Sequence, residues 1–439
     1  MKQNALKWLS FTMLFAITTL SCSKSDTKSL NASELSEAKL KSKFNDVLSN
    51  QVIIDWNLAA LSAEGGVTYG NPTISSRTDA MMHIAMHDAL NAIIPLYEPY
   101  TYDKELSGAD PILAAAQAAY TVLVSIYPDA QSMLDNLLAT YLSATPGGTA
   151  KQLAIEVGTE AGNAILSLRQ NDGAFQNPVG DIAVSSIPGV YNTVPPFTFV
   201  FAEFWKNMQP FSLKSVSQFR SDPPPALTSM EYAKDLNEVK AVGGVTSTSR
   251  TADESFYAKF WYEFVELGWN RIARILTMEK EMPLLETARL FALLNMAIAD
   301  SYIAGADSKF IYNFWRPYTA IHEANLDGND RTAEDDTWVS FLPTPPVPDY
   351  PSTHSVGGNA AATVLALLTK GNTSFTMASS TGVPAETTRT LKNVKQAADE
   401  NADSRVIAGI HFRFACEAGQ KMGDEIGNWT VKNYLELKK

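Results

Sequence analysis

The 439-residue chain has little cysteine, little histidine and no long hydrophobic run after its first residues. Its two cysteines, Cys22 and Cys416, are too few for a disulfide framework. Beyond residue 20, no segment offers the ~20 consecutive apolar residues that a bilayer span needs. With five histidines in all, any pair that falls inside one short motif is informative.

Positive charge is also scarce. Lysine and arginine number 35, against 47 aspartates and glutamates, so the formal net charge is −12 and the pI is near 5.0. Such a chain lacks the basic surface with which proteins bind nucleic acid or anionic membranes, and we expect neither as a partner. The 45% hydrophobic and 19% charged residues are typical of a globular protein.

Residues 1–22 have the pattern of an export signal. Two lysines precede an apolar run over residues 9–20, which is too short to span a membrane. Residues 19–22 resemble a bacterial lipobox imperfectly. Two interpretations therefore stay open: cleavage without lipidation, or acylation of Cys22 as a new N-terminus. We favour a lipoprotein with a polar tether over residues 23–44. It would lie in the periplasm or at the cell surface and reach the membrane only through Cys22.

Apolar residues recur at helical intervals along most of the remaining chain. No run of alternating strands signals a sheet. The pattern predicts an all-α fold of helical bundles, and two packed four-helix-type bundles are consistent with the number of helices. The sequence is also compatible with a homo-oligomer. The predicted helices cover residues 76–94, 111–126, 149–168, 230–242, 253–276, 283–314, 355–368, 386–399 and 403–428.

Between residues 173 and 228 the helical pattern lapses. This segment is rich in proline and in aromatic residues such as Phe199 and Trp205. Because long loops without periodicity are usually functional or disordered, and these aromatics favour packing, we predict a strap lying over the helices. We assign residues 45–250 to an N-terminal helical region that includes this strap, and residues 251–439 to a catalytic helical bundle.

Three short segments near the C-terminus concentrate cationic and imidazole groups. The first contains Lys309 and Arg316, which are seven residues apart and are expected on one face of a helix. The second is Ser352-Thr353-His354, which precedes an apolar helix and should present unpaired backbone N–H groups to an anion. The third contains Arg405 and His411, six residues apart. We call these seven residues the anion cage.

Each segment alone has a plainer explanation: a solvated basic pair, an ordinary N-cap serine, or a core histidine. Together, in an acidic chain, they predict a site for one tetrahedral oxyanion, because charge-assisted hydrogen bonds from guanidinium and ammonium groups are the strong ones.

The three segments resemble the K-x6-RP, PSxH and SR-x5-H motifs of the vanadium-dependent haloperoxidases and of the type 2 phosphatidic acid phosphatase superfamily. The likeness to the bacterial haloperoxidase-like branch extends from about residue 45 to the C-terminus. It is carried further by residues 223–229, 238–240, 249–251, 260–261, 269–273 and 344–350.

The resemblance implies a vanadate cofactor. Lys309, Arg316 and Arg405 would bind its equatorial oxygens, together with Ser352 and the backbone N–H of Thr353.

It also implies the roles of the two histidines. His411 would be the apical nitrogen ligand of vanadium. His354 would be the acid–base group that takes a proton from hydrogen peroxide. Lys309 would polarise the bound peroxide, so that a halide, iodide or bromide, leaves as hypohalite while the metal acts as a Lewis acid.

A phosphatase could use the same cage, because vanadate and phosphate share shape and charge. His411 would then attack the phosphorus of a phosphomonoester to give a phosphohistidine, and His354 would protonate the leaving alcohol. A third interpretation is a lipoprotein that keeps the fold and only binds phosphate or a partner. Chain length and the strap favour the haloperoxidase.

Three positions depart from the family pattern and leave the halide open. Thr353 stands where the family usually has glycine, Ala306 where tryptophan is common, and Val347 where an aromatic residue or a second histidine often occurs. Two other groups have alternative interpretations. Asp300 is either the acidic partner of a cage arginine or a buried capping or surface aspartate. His83, spaced with His87 for a metal, is more readily a structural group.

Overall fold

Helices make up most of the computed structural model, which describes residues 48–66 and 70–438. The predicted export signal and tether, residues 1–22 and 23–44, lie outside the described residues. The α-helices, in chain order, are α1 (Gln51–Ala63), α2 (Pro72–Ile93), α3 (Pro111–Ile126), α4 (Gln131–Ala144), α5 (Thr149–Arg169), α6 (Met230–Val242), α7 (Ala252–Phe260), α8 (Val265–Glu279), α9 (Leu284–Tyr312), α10 (Pro317–His322), α11 (Thr353–Thr369), α12 (Val394–Ile407) and α13 (Arg413–Asn433).

The predicted all-α class is confirmed, since the strands in the described part are short. They form two antiparallel pairs, β1 (Val179–Gly180) with β2 (Val200–Phe201) and β3 (Phe375–Ala378) with β4 (Thr388–Leu391). No described helix is both long and apolar enough to cross a membrane. The predicted boundary at residue 250 falls in the loop between α6 and α7 and stays a prediction.

The predicted helix over residues 386–399 is wrong in its first half. Residues 388–391 form β4, where threonines alternate with other residues as strands prefer. Helix α12 begins only at Val394, because the side chain of Asn393 accepts a hydrogen bond from Gln396 N at 2.9 Å and caps it.

Two other predicted helices are interrupted. The segment 253–276 breaks at residues 261–264, between α7 and α8. The segment 403–428 breaks between α12 and α13, where Gly409 has φ +80 and a Cβ would lie 2.1 Å from Gly243 O. Only glycine fits this conformation and this close approach. Both breaks carry residues of the cavity described below.

Helix α9 runs through the core, and its side chains are buried over most of its length. One of them, Asp300, accepts hydrogen bonds from three consecutive strap amides, those of Phe211, Ser212 and Leu213, at 2.6, 2.7 and 3.1 Å. It also accepts one from Ser212 Oγ at 2.6 Å. The predicted strap therefore packs on the helices and is fastened to the core by a buried carboxylate.

A buried polar network joins the N-terminal helices to α8 and α9. His83 Nε2, on α2, accepts a hydrogen bond from Asn57 Nδ2 at 2.9 Å, and the same amide donates to Asn270 Oδ1 at 3.0 Å. The His83 ring also lies 5.0 Å from the ring of Phe291. Burial holds the pKa of His83 at about 3, so the imidazole is neutral and serves the packing of this junction.

Helices α11 and α13 pack backbone to backbone through glycines spaced four apart. A Cβ added at Gly423 would lie 2.2 Å from Val356 O, and one added at Gly419 would lie 2.7 Å from Ser352 O. The glycines therefore set the distance between these two helices. Ser352-Thr353-His354 lie at the N-terminal end of α11, and His411 lies just before the N-terminal end of α13.

We predict that Gly423→Ala lowers the free energy of unfolding by at least about 1–3 kcal/mol, because the methyl group has no room against the α11 backbone. Urea unfolding followed by circular dichroism measures this. Gly147→Ala is the matched control, since a Cβ there has no neighbour within 4 Å and the change should be close to neutral. Equal effects of the two substitutions would contradict the role of close packing.

Candidate active site

Lys309 and Arg316 do not share a helix, so the prediction of one common helical face is wrong. Helix α9 ends at Tyr312, where Asn313 takes a left-handed conformation with φ 45, and Arg316 is the N-cap of α10. Pro317 starts the new helix, a position for which its fixed φ suits it. A turn, and not helical periodicity, brings the two cations together.

Arg405 and His411 are likewise separated by the break at Gly409. Arg405 lies in the last turn of α12, and His411 lies in the connection before α13. Ser352 is the N-cap of α11, and its Oγ accepts from Ser355 N at 3.5 Å. The N–H of Thr353, in the first helical turn, has no acceptor within the helix.

These separate elements meet at one cavity of about 450 Å³. The cage cations are almost fully buried around it, with relative exposures of 3% for Lys309 and 1% each for Arg316 and Arg405. The cage residues that line it are Lys309, Arg316, Thr353, His354, Arg405 and His411. Ser352 lies behind this lining, fully buried at the start of α11.

Lys309 and Arg316 hold the loop that leads into α11. Lys309 Nζ donates to Pro348 O at 2.7 Å and to Asp349 O at 2.9 Å. Arg316 Nε donates to Val347 O at 2.8 Å, and one of its terminal nitrogens donates to Ile410 O at 2.7 Å. Burial, followed by the charge of Arg316, lowers the pKa of Lys309 well below its usual value.

The contacts of His411 favour one tautomer. A terminal nitrogen of Arg316, which can only donate, lies 3.0 Å from His411 Nε2 and 3.4 Å from Nδ1, and the shorter contact favours the lone pair on Nε2 and the proton on Nδ1. Nδ1 lies 2.8 Å from Asp349 Oδ1, although the ring N–H is not aligned for a hydrogen bond. Burial and the neighbouring cations hold the pKa of His411 well below its usual range, so the contact is a neutral imidazole beside a carboxyl group and not an ion pair.

His354 is held in the opposite tautomer. Its Nε2 lies 3.1 Å from Glu263 O, which can only accept, so Nε2 carries the proton and Nδ1 is free to accept one. Burial and the charge of Arg405 lower the pKa of His354 well below its usual value. The side chain of Glu263 points to other partners, since both its oxygens contact Arg271, at 2.6 and 3.1 Å.

Arg405 has a hydrogen-bond donor without a partner among the described residues. One terminal nitrogen donates to Trp261 O at 3.2 Å, and its Nε has no hydrogen-bond partner among the described residues. Burial lowers its pKa to about 10, so the guanidinium stays charged at neutral pH. Asp300 is not its partner: the interpretation of Asp300 as the carboxylate of a cage arginine is wrong, because that group binds the strap.

Sequence reasoning missed Asp349 and Glu263. Asp349 is fully buried, and burial raises its pKa to about 7 in spite of Arg316 and Lys309, which lower it. The sequence feature that could have revealed Asp349 is its position, as an acidic residue, directly before Tyr350-Pro351-Ser352 in the second cage segment. Glu263 contributes through its backbone carbonyl, which no sequence pattern reveals.

The departure at Thr353 is accommodated by the opposite helix. Its Oγ1 lies against Gly305 of α9, where a Cβ would be 3.9 Å away. Ala306 and Val347, the two other departures, both line the cavity.

The fold is a helical bundle in which basic residues and two histidines line one buried cavity. Known proteins are similar to this chain. Residues 289–438 match the family model for the VCPO second helical-bundle domain. Vanadium chloroperoxidase of Curvularia inaequalis is 26% identical over 391 residues, which cover 71% of this chain and 63% of that protein. The chain thus spans about 63% of the length of this curated relative.

Solved structures agree. The first bacterial vanadium-dependent iodoperoxidase is similar with a TM-score of 0.77 and 26% identity, over 89% of this chain and 98% of that chain. A holo-type bacterial vanadium-dependent chloroperoxidase has a TM-score of 0.67 over 82% of this chain and 91% of that chain; its 15% identity shows the fold alone. The resemblance to vanadium-dependent haloperoxidases that was stated from the motifs is confirmed by these matches.

The cage fits the vanadate that this family implies. The partnerless Nε of Arg405 and the first-turn N–H of Thr353 are donors for its oxygens, and His411 Nε2 has a lone pair for the metal. A metal that binds His411 Nε2 has to replace the hydrogen bond that Arg316 donates to this nitrogen. The donor set is positive and rich in nitrogen, as a tetrahedral oxyanion requires.

We predict that inorganic phosphate or orthovanadate raises the melting temperature of the protein, because a ligand that binds only the folded state adds about 2.7 kcal/mol at a hundred times its Kd. Arg405→Ala should lose most of this shift. Arg389→Ala is the control, since Arg389 pairs with Asp253 and Glu400 away from the cavity. A full shift in Arg405→Ala, measured by scanning fluorimetry, would remove Arg405 from the site.

Proposed function

We propose that the protein is a vanadate-dependent haloperoxidase that oxidises iodide or bromide with hydrogen peroxide to the hypohalite. The observation that carries the proposal is the convergence of the cage cations and both histidines on one cavity, although they come from separate elements. Similarity to a bacterial iodoperoxidase along almost its whole chain supports it.

The cage residues would have different roles in binding vanadate. Lys309, Arg316 and Arg405 would hold the oxygens of vanadate, with Ser352 Oγ and the N–H of Thr353. His411 would bind the metal through Nε2, while its Nδ1 faces Asp349 Oδ1 at 2.8 Å. When bound, vanadate supplies a Lewis acid that makes peroxide oxygen electrophilic without a change in the oxidation state of the metal.

Proton transfer falls to His354. Because its Nε2–H is engaged by Glu263 O, the base is Nδ1, and the lowered pKa keeps that nitrogen unprotonated at neutral pH. Nδ1 can therefore take a proton from hydrogen peroxide and return it to the leaving oxygen. Lys309, anchored by two backbone carbonyls, is placed to donate to an oxygen of the reacting peroxide.

We predict that the purified protein, loaded with orthovanadate, oxidises iodide or bromide in the presence of hydrogen peroxide. His411→Ala should lower kcat/KM by at least about 100-fold, because even outer-shell partners of a metal ligand are worth 10- to 100-fold. His322→Ala is the matched control, since His322 contacts Tyr318 and Trp338 O outside the cavity. Triiodide formation, followed by absorbance, is the measurement.

The phosphatase alternative gives the opposite result in the same preparation. It predicts turnover of p-nitrophenyl phosphate that vanadate inhibits, together with no halide oxidation. That combination would replace the haloperoxidase with a phosphohistidine mechanism at His411. Activity of neither kind, with retained phosphate binding, would leave a binding lipoprotein.

We also propose that the protein is exported to the periplasm or cell surface and anchored through acylated Cys22. The apolar run over residues 9–20 and the lipobox-like residues 19–22 support this. The prediction is that labelled palmitate is incorporated and the protein sediments with membranes, whereas Cys22→Ala abolishes both. Label in Cys22→Ala, or its absence from the native protein, would contradict the anchor.

A further inference from the structure

The cavity is larger than the oxyanion needs. An anion of five heavy atoms takes up roughly 150 Å³ at about 30 Å³ per water-sized group. The cavity measures about 450 Å³, which lies in the range of sites that bind small organic molecules. Most of its space is therefore available to a second occupant beside the cage.

The wall of that remaining space is aromatic. Strap residues Phe197, Phe199, Phe201 and Trp205 line it, and Phe310 does so from the position directly after Lys309. Phe197 and Phe199 meet edge to face at 5.7 Å. Aromatic walls favour flat rings, which gain from stacked or edge-to-face contact beyond the burial of their area.

The wall is fixed in place before any ligand arrives. Phe201 N donates to Pro346 O at 2.8 Å, which ties the strap to the loop held by Arg316. Further along the strap, Asp300 binds three consecutive amides. Trp205 is 2% exposed, and its Nε1–H has no hydrogen-bond partner among the described residues, which leaves a buried donor in a lining residue.

Charge defines which rings fit. Glu263 is the one acidic residue among the described lining residues, and its carboxylate is engaged by Arg271 and by Ser380, whose N and Oγ donate at 2.9 and 2.7 Å. The cage beside the wall is positive. A cationic molecule therefore finds no free counter-charge in the cavity and is repelled by the positive cage. A neutral or anionic molecule is not repelled.

We propose that the cavity binds a planar aromatic molecule, neutral or anionic, against the strap aromatics beside the anion cage. Its role as a halogen acceptor rests on the proposed function. In that role the hypohalite, protonated to hypohalous acid, transfers its halogen to a ring carbon: the carbon–halogen bond forms, the halogen–oxygen bond breaks, and the displaced ring proton combines with the released hydroxide to give water.

Calorimetric titration tests binding on the vanadate-free protein, so the readout does not depend on activity. The probes are 2-naphthylmethanol, 2-naphthoate and 2-naphthylmethylamine, which share one ring system and differ in charge. We expect the alcohol and the carboxylate to bind, and the amine to bind at least about 10-fold more weakly. No binding of any probe, or equal binding of all three, would overturn the proposal.

Two variants locate the ligand. Phe199→Ala should weaken binding of 2-naphthylmethanol by about 3- to 10-fold, as expected for one lost aromatic contact. Phe310→Leu, from α9, should do the same without touching the strap. Phe175→Ala is the control, because this ring is 68% exposed and lies outside the cavity lining. Wild-type affinity in both cavity variants would overturn the proposal.

The outcome is separable from that of the proposed function. Binding of the naphthyl probes without any halide oxidation would refute the haloperoxidase and leave the aromatic site standing. Halide oxidation without probe binding would do the reverse. If both hold, 2-naphthol halogenated by the loaded enzyme should show a different isomer ratio from 2-naphthol treated with free hypohalite, and Phe199→Ala should return the ratio towards that of the free reaction.

Discussion

The structure depends on a surplus of buried positive charge. Lys309, Arg316 and Arg405 surround one cavity, and the carboxyl group nearest to them, Asp349, is itself so buried that its pKa is raised to about 7. Uncompensated buried charge is costly, so an anion that binds among these cations should stabilise the folded protein. Burial, reinforced by these neighbouring cations, lowers the pKa of both histidines and favours their neutral forms. In that state one can bind a metal and the other can accept a proton.

Close packing holds that surplus together. The glycine face of α13 lets α11 approach to backbone contact, and this fixes the N-terminal end of α11 against the segment that carries His411. Lys309 and Arg316 complete the arrangement by binding the carbonyl groups of the loop before α11. The cations thus position the loop as well as the ligand, so site and scaffold are one network.

The sequence predicted the helical class, the strap and the three segments of the cage, because these rest on periodicity, composition and motifs. It mispredicted how the segments converge. Residue spacing suggested shared helical faces, whereas Asn313 and Gly409 end the helices in left-handed conformations that depend on tertiary neighbours such as Gly243. The role of Asp300 could not be predicted for the same reason. It binds backbone amides of the strap that are distant in the chain, and no local pattern encodes them.

The most direct test is a crystal structure of the protein soaked with orthovanadate, with anomalous data collected at the vanadium edge. The account predicts one vanadium peak in the cavity, bonded to His411 Nε2 and surrounded by Lys309, Arg316 and Arg405. A peak bound elsewhere, or a cage that stays without any anion at saturating vanadate, would contradict it.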